Sequence, residues 1–264
     1  MLAFLLLGAV GATPLPRKPV LVLGAAGQTG LACVRACVGL NVPCIATSRN
    51  GAALPAEFTS QDLLTVEAAD VTNAATLSAA IRPGELGGVI FAASASTKGG
   101  DADAVDHLGL IKVAEACIAA RVPRLVIVSS GTVTRPDSAV HKLLNFVGRG
   151  IMDAKLLGED RVRELYATPS LAADGIGYTI VRPGALLNAA SRGVSAVELN
   201  QGDDKSGRIA RDDVGRICVE CLTSDAACDT TFECYCASPA ALLYRPLSRA
   251  TAPHARSEPT CSVA

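Results

Sequence analysis

The chain has 264 residues, half of them apolar, with aromatics at only 3% and no tryptophan. That length suffices for one large α/β domain or two small ones, with a core built from Val, Leu, Ile and Ala. A net charge of −1 without a long block of like charge gives no electrostatic basis for binding nucleic acid or an anionic membrane surface.

The opening stretch, "MLAFLLLGAVGATPLPRK", is too short to cross a bilayer as a helix. It has the apolar run of a signal sequence and a cleavage-like "VGA" ending at Ala12, but no basic start; a disordered start is the alternative. Residues 1–16 are therefore set aside from the fold as a targeting or disordered segment, and no transmembrane span is expected. From Lys18 onward, strand and helix patterns alternate. "PVLVLG" is an apolar run of strand length, and "QTGLACVRACVGL" has helical spacing. "VPCIATS" and "DLLTVEAAD" hold two more strands, and "NAATLSAAI" is a short helix with Asn73 as its N-cap. "GGVIFAAS" is a fourth strand. "DADAVDHLGLIKVAEACIAARV" is a long helix whose Asp101, Asp103 and Asp106 suit the positive end of the helix dipole. "PRLVIVSS", the helix "GIMDAKLLGEDRVRELYA", the strand "YTIVRPG", the helix "ARDDVGRICVECL" and the strand "TTFECYCA" complete the series.

Strands that are apolar without alternation are buried on both faces, which is the mark of a parallel sheet between helical layers. Residues 17–237 are expected to form one doubly wound α/β domain, and 238–264 a mobile tail. Ten cysteines do not make this a short disulfide scaffold. Cys33, Cys37 and Cys117 fall in helical patterns, where a free thiol acts as an apolar filler. Cys218, Cys221, Cys228, Cys234 and Cys236 crowd the C-terminal part without a closed four-ligand pattern, so no metal site is expected. Cys234 and Cys236 alternate along one strand and share a face.

Gly24, Gly27 and Gly30 sit between the first strand and the first helix, the context in which such glycines cradle a dinucleotide rather than punctuate a turn. Gly24 permits the turn, Gly27 admits the pyrophosphate to the backbone, and Gly30 lets the helix pack against the strand. The second strand ends in "ATSRN", with no acid to accept a ribose 2′-hydroxyl. Arg49, nineteen residues beyond Gly30, can clamp a 2′-phosphate, which favours NADP(H) over NAD(H); a solvated arginine is the alternative. Asp70, in "AADVTN", either meets adenine or starts a turn.

Together "VLVLGAAGQTG", "SR", "ADVTN", "VIFAAS", "RLVIVSS", "DAKLLGED" and "YTIVRPGAL" resemble the atypical short-chain dehydrogenase/reductase group. Within it they resemble the NmrA-like, NAD(P)H-binding branch, which includes flavin and biliverdin reductases and several plastid proteins. The resemblance spans residues 18–237 and implies a mostly parallel, Rossmann-type sheet. It implies that Gly24, Ala26, Gly27, Gln28, Thr29 and Gly30 hold the pyrophosphate and that Arg49 takes the 2′-phosphate. Asp70 and Val71 would flank adenine, Ala92 and Ala93 would line the ribose, and Ser129 and Ser130 would lie near the nicotinamide. Lys155 matches the family's active-site lysine, a ligand of the nicotinamide ribose; the alternative is an exposed helix cation beside Glu159.

The chain departs from the Tyr-x-x-x-Lys pattern, because Ile151 stands four residues before Lys155. Isoleucine has no proton to give to a reduced carbonyl. Two functions fit. One is an NADPH-dependent reductase of a small planar acceptor, flavin- or quinone-like, with Ser130 bonding an acceptor oxygen. The other is a dinucleotide-sensing regulatory or assembly protein that binds a protein partner. A nucleotide-sugar epimerase or dehydratase fits less well without the tyrosine. His107, in the long helix, and His141, in the loop after the fifth strand, are the other candidate acids. The resemblance suggests a plastid; the cytoplasm is the alternative.

Overall fold

The computed structural model describes residues 14–51, 54–55, 58, 62–95 and 100–236. The expected tail from Ser238 and the expected leader up to residue 13 lie outside the described residues. In chain order the elements are β1 (Val20–Leu23), α1 (Gln28–Gly39), β2 (Cys44–Ser48), β3 (Leu64–Ala68), α2 (Ala74–Ala80) and β4 (Gly88–Phe91). A π turn (Asp103–His107) then leads into α3 (Leu108–Ala119), followed by β5 (Arg124–Val128), α4 (Ala139–Val147), α5 (Ile151–Tyr166), α6 (Pro169–Ala173) and β6 (Gly177–Pro183). β7 (Ala185–Leu187), β8 (Val197–Asn200), β9 (Arg208–Ala210), α7 (Arg211–Cys221) and β10 (Thr230–Cys236) complete it.

Eight strands form one sheet in the order β3-β2-β1-β4-β5-β6-β10-β8. All neighbours pair in parallel except the edge pair β10 and β8. β7 and β9 make a separate two-stranded parallel pair. Successive residues of each inner strand point to opposite faces. Val20 and Val22 enter a core shared with Cys33, Val34 and Cys37 of α1 and Val214 and Ile217 of α7. Leu21 and Leu23 enter the opposite core, with Leu77 of α2, Leu110 and Val113 of α3 and Val162 of α5. Both faces are apolar because both are covered, and the sequence shows this as unbroken apolar runs.

Asn73 caps α2 as expected, its side chain accepting from the Ala75 N–H at 3.0 Å. Cys33, Cys37, Cys44, Cys117, Cys218, Cys221 and Cys234 are buried free thiols. Burial pushes the Cys221 thiol up to about 12, so it stays protonated and unreactive at neutral pH. Packing begins before the expected boundary at residue 16, since Leu15 leans on the α1 core and Pro16 is buried. Two segments outside the elements expected above are partly regular. Residues 131–150 contain α4, and 185–210 contain β7, β8 and β9. α4 turns Val140, Leu143, Phe146 and Val147 to solvent. Among the described residues no helix is long and apolar enough to cross a membrane.

Phe232 is one of the largest side chains buried completely, in a core with few aromatics. Phe232→Ala is expected to cost about 3–5 kcal/mol, read as a lowered urea midpoint.

Candidate functional site

Strand order reverses between β1 and β4, with β2 and β3 on one side and β5, β6 and β10 on the other. Ligands of open α/β sheets bind in the crevice beyond the carboxyl ends of strands at such a reversal. The turn after β1 is built for close approach. Gly24 has φ +81°, and a Cβ there would lie 2.6 Å from the Cα of Ala93 at the end of β4. A Cβ on Gly30 would lie 2.2 Å from the Gly24 carbonyl oxygen. The Ala25 N–H donates to the Thr47 carbonyl at 2.8 Å, tying the turn to β2.

Gly27 is different. It is the exposed N-cap of α1, and a Cβ there would meet only the Gly24 carbonyl oxygen, at 3.3 Å. The first turn of α1 carries no acidic residue, and no side chain caps it. The N–H groups of Gln28, Thr29 and Gly30 have no acceptor within the helix. The result is a positive, uncapped helix end under an open glycine, which fits a diphosphate. Ala26, Gln28 and Thr29 surround it, and a cleft of about 400 Å³ opens alongside, lined by Gln28, Leu31, Leu187, Asn188 and Arg211 among others.

At the end of β2, Ser48 is buried and Arg49 exposed. Asp70 starts a turn: its Oδ1 accepts from the Thr72 N–H at 2.8 Å and from the Thr72 hydroxyl at 2.7 Å. The Thr72 N–H is the main cause holding this carboxyl below its ordinary value. Partial burial opposes it, and the Thr72 hydroxyl, Arg49 and Lys112 reinforce it. Val71 turns its side chain into the core under α3.

At the ends of β4 and β5, Ala92 and Ala93 are half-buried. Ser129 is buried and donates to Glu159 at 2.5 Å, whereas half-buried Ser130 donates to the Gly131 carbonyl at 3.1 Å. Lys155 is not the exposed partner of Glu159. Its Nζ lies 2.8 Å from Asp106 Oδ1, with 11% of the lysine side chain and none of the aspartate side chain exposed. Nor does Asp106 serve as a solvent-facing dipole acid. It lies in the π turn, whose extra residue changes which side chains face inward, and it accepts from the Ser94 hydroxyl and the Ala95 N–H, each at 2.7 Å. Ile151 packs beside this group in a small apolar cluster with Ala95, Ala102, Val105 and Ala154.

His141 lies in α4 rather than a surface loop and is buried, with Nδ1 3.0 Å from the Thr132 carbonyl and Nε2 3.2 Å from Asp153. Both nitrogens are engaged in holding α4 to its neighbours. His107 bonds Asp103 at 2.7 Å on the same helical face.

A buried polar network under the β5 loop escaped the sequence reading. Arg182 Nε donates to Glu159 at 3.1 Å and its Nη1 to Glu233 at 3.4 Å. Glu233 accepts from the Asp203 N–H, and Asp203 accepts from the Thr132 and Thr134 N–H groups. Burial pushes the Glu233 carboxyl up, while the Asp203 N–H and Arg182 pull it down. The available signal was Arg182 itself, a charge inside the apolar run "YTIVRPG". Arg182→Met leaves Glu159, among the described residues, with Ser129 and the half-buried Arg163. It is expected to cost about 3 kcal/mol in denaturant unfolding, with faster hydrogen exchange in residues 129–134.

Comparison with known proteins identifies the family and the fold. Residues 24–225 match the family model described as NAD(P)H-binding. An uncharacterized chloroplastic protein of Arabidopsis thaliana, At2g34460, is 30% identical over 211 residues, covering 79% of this chain and 73% of that protein. A short-chain dehydrogenase/reductase from Veillonella parvula, solved in complex with NADP, superposes with TM-score 0.64 at 17% identity, over 84% of this chain and 95% of that one. ChuY, an anaerobilin reductase from Escherichia coli O157:H7, superposes with TM-score 0.64 at 21% identity, over 83% of this chain and 97% of that one. The chain belongs to the family whose model is described as NAD(P)H-binding.

Proposed function

We propose that this protein binds NADP(H) in preference to NAD(H) and reduces a small planar acceptor of the flavin or quinone kind. The uncapped start of α1, with Gly24, Ala26, Gly27, Gln28, Thr29 and Gly30, would hold the diphosphate. Arg49, exposed at the end of β2 where no acid stands, would clamp the 2′-phosphate. Asp70 and the main chain at Val71 would border adenine, Ala92 and Ala93 the ribose. Lys155 would ligand the nicotinamide ribose, and Ser130 would bond an acceptor oxygen. When bound, the cofactor supplies a hydride; the protein supplies orientation and a dry surface.

The observation that carries this reading is the apolar cluster of Ile151, Ala95, Ala102 and Val105 beside the Lys155–Asp106 pair. Its partly exposed members, Val105 and Ile151, would give a flat ring an apolar edge to rest on, with no proton donor at the position of the family's tyrosine. An acceptor that draws its proton from water suits such a wall, and a carbonyl needing a protein acid does not. The same missing acid favours a second reading, in which dinucleotide occupancy regulates contact with a protein partner. The chloroplastic relative supports a plastid location.

Two measurements test these assignments. Stopped assays of NADPH oxidation with flavins, quinones and aldehydes are expected to show turnover with the first two classes only. Tight NADPH binding without oxidation by any acceptor would select the regulatory reading. Arg49→Glu is expected to lower the NADP-over-NAD preference by about tenfold or more, since it replaces a charge-assisted contact with repulsion; an unchanged ratio of dissociation constants removes Arg49 from the site.

A further inference from the structure

Lys155 does not reach the crevice as a free charge. Its ammonium is 2.8 Å from Asp106, a carboxylate whose side chain is wholly buried. The aspartate is itself held by two donors from the end of β4, the Ser94 hydroxyl on Oδ1 and the Ala95 N–H on Oδ2. Three elements therefore meet at one carboxylate: the β4 end, the π turn and α5. Their approach is close, because a Cβ on Gly158 of α5 would lie 2.6 Å from the Asp106 carbonyl oxygen. Two other acids nearby have partners of their own. Asp103 is exposed and paired with His107, and Glu159 is paired with Arg182 and Arg163.

A lone ammonium in this position would repel a positively charged pyridinium ring and leave a neutral dihydropyridine unaffected. Such repulsion is strong where water is scarce. A fixed carboxylate at 2.8 Å turns the cation into a dipole, and the repulsion largely cancels. Resting on the dinucleotide-binding reading above, we infer that Asp106 is a specificity-determining residue which lets the site hold the oxidised cofactor nearly as well as the reduced one. It acts through Lys155 and is a positioning residue. A protein built this way stays occupied at either redox poise, and its occupancy follows the total NADP pool more than the NADPH fraction.

The test is calorimetric titration of the full chain with NADP⁺ and with NADPH at pH 8, expressed as the ratio of their dissociation constants. A merely structural defect weakens both forms together and leaves that ratio alone. In Asp106→Asn the ratio Kd(NADP⁺)/Kd(NADPH) is expected to rise by about fivefold or more, the scale of one uncompensated charge in a half-buried site. In Lys155→Met, which leaves the carboxylate without its cation, the ratio is expected to move the other way, by about threefold or more. If Asp106→Asn does not fold, Lys155→Met decides alone. A ratio within twofold of wild type in every folded variant, or a shift in the wrong direction, overturns the inference. Failure of the wild type to bind either dinucleotide instead overturns the reading on which it rests.

Discussion

The main chain at Gly24 lies so close to the end of β4 that no side chain fits between them. From that contact the rest of the site follows. The turn it permits aims α1 at the crevice and brings Gly30 against the Gly24 carbonyl. It also sets the β4 end, with Ala92 and Ala93, beside the helix start. The positive φ at Gly24 costs an L-residue conformational strain in addition to the steric clash. Gly27, by contrast, spares no room to the fold itself; its missing side chain leaves the uncapped N–H groups open. One glycine triplet thus divides between architecture and binding.

Charge is handled differently at the two ends of the crevice. At the β2 and β3 ends Arg49 stands exposed, and Asp70 is engaged with Thr72. Under the β4 and β5 ends, buried carboxylates are held by paired partners. Asp106 holds Lys155, Glu159 holds Arg182, and Glu233 and Asp203 carry the connection into the loop after β5. Buried pairs of this kind add little net stability, but removing one partner is costly. They fix the loop after β5 in one arrangement. Asp213 does the same for residues 191–193, accepting from the Ser191 hydroxyl and from the Arg192 and Gly193 N–H groups.

Much of this was legible in the residues, for physical reasons. Strands such as "VLVL" and "GVIF" are apolar at every position because both sheet faces are covered, so the doubly wound architecture could be read without a structure. Gly24 and Gly30 declared the tight strand–helix turn because few other residues tolerate those approaches. Asn73 declared its cap. What stayed hidden depends on contacts between distant segments. Asp106 looks like an ordinary helix-start acid until the π turn brings it to Lys155. The pairing of Glu159 with Arg182 joins α5 to β6 across the fold, where local spacing suggested Lys155. α4 carries a helical apolar pattern, but it turns that face to solvent, so the usual logic of a buried stripe does not find it. His141 was read in a loop because the helix holding it was missed.

The central claim is that the first strand–helix junction holds a dinucleotide's diphosphate against bare main chain. Calorimetric titration of NADPH into the wild type and into Gly27→Val tests it most directly. The account expects saturable binding to the wild type. It expects no detectable binding to a Gly27→Val protein that stays folded without ligand, because a side chain there meets only the Gly24 carbonyl oxygen within the fold and has no room beside a phosphate. Equal affinity in the two proteins would contradict it.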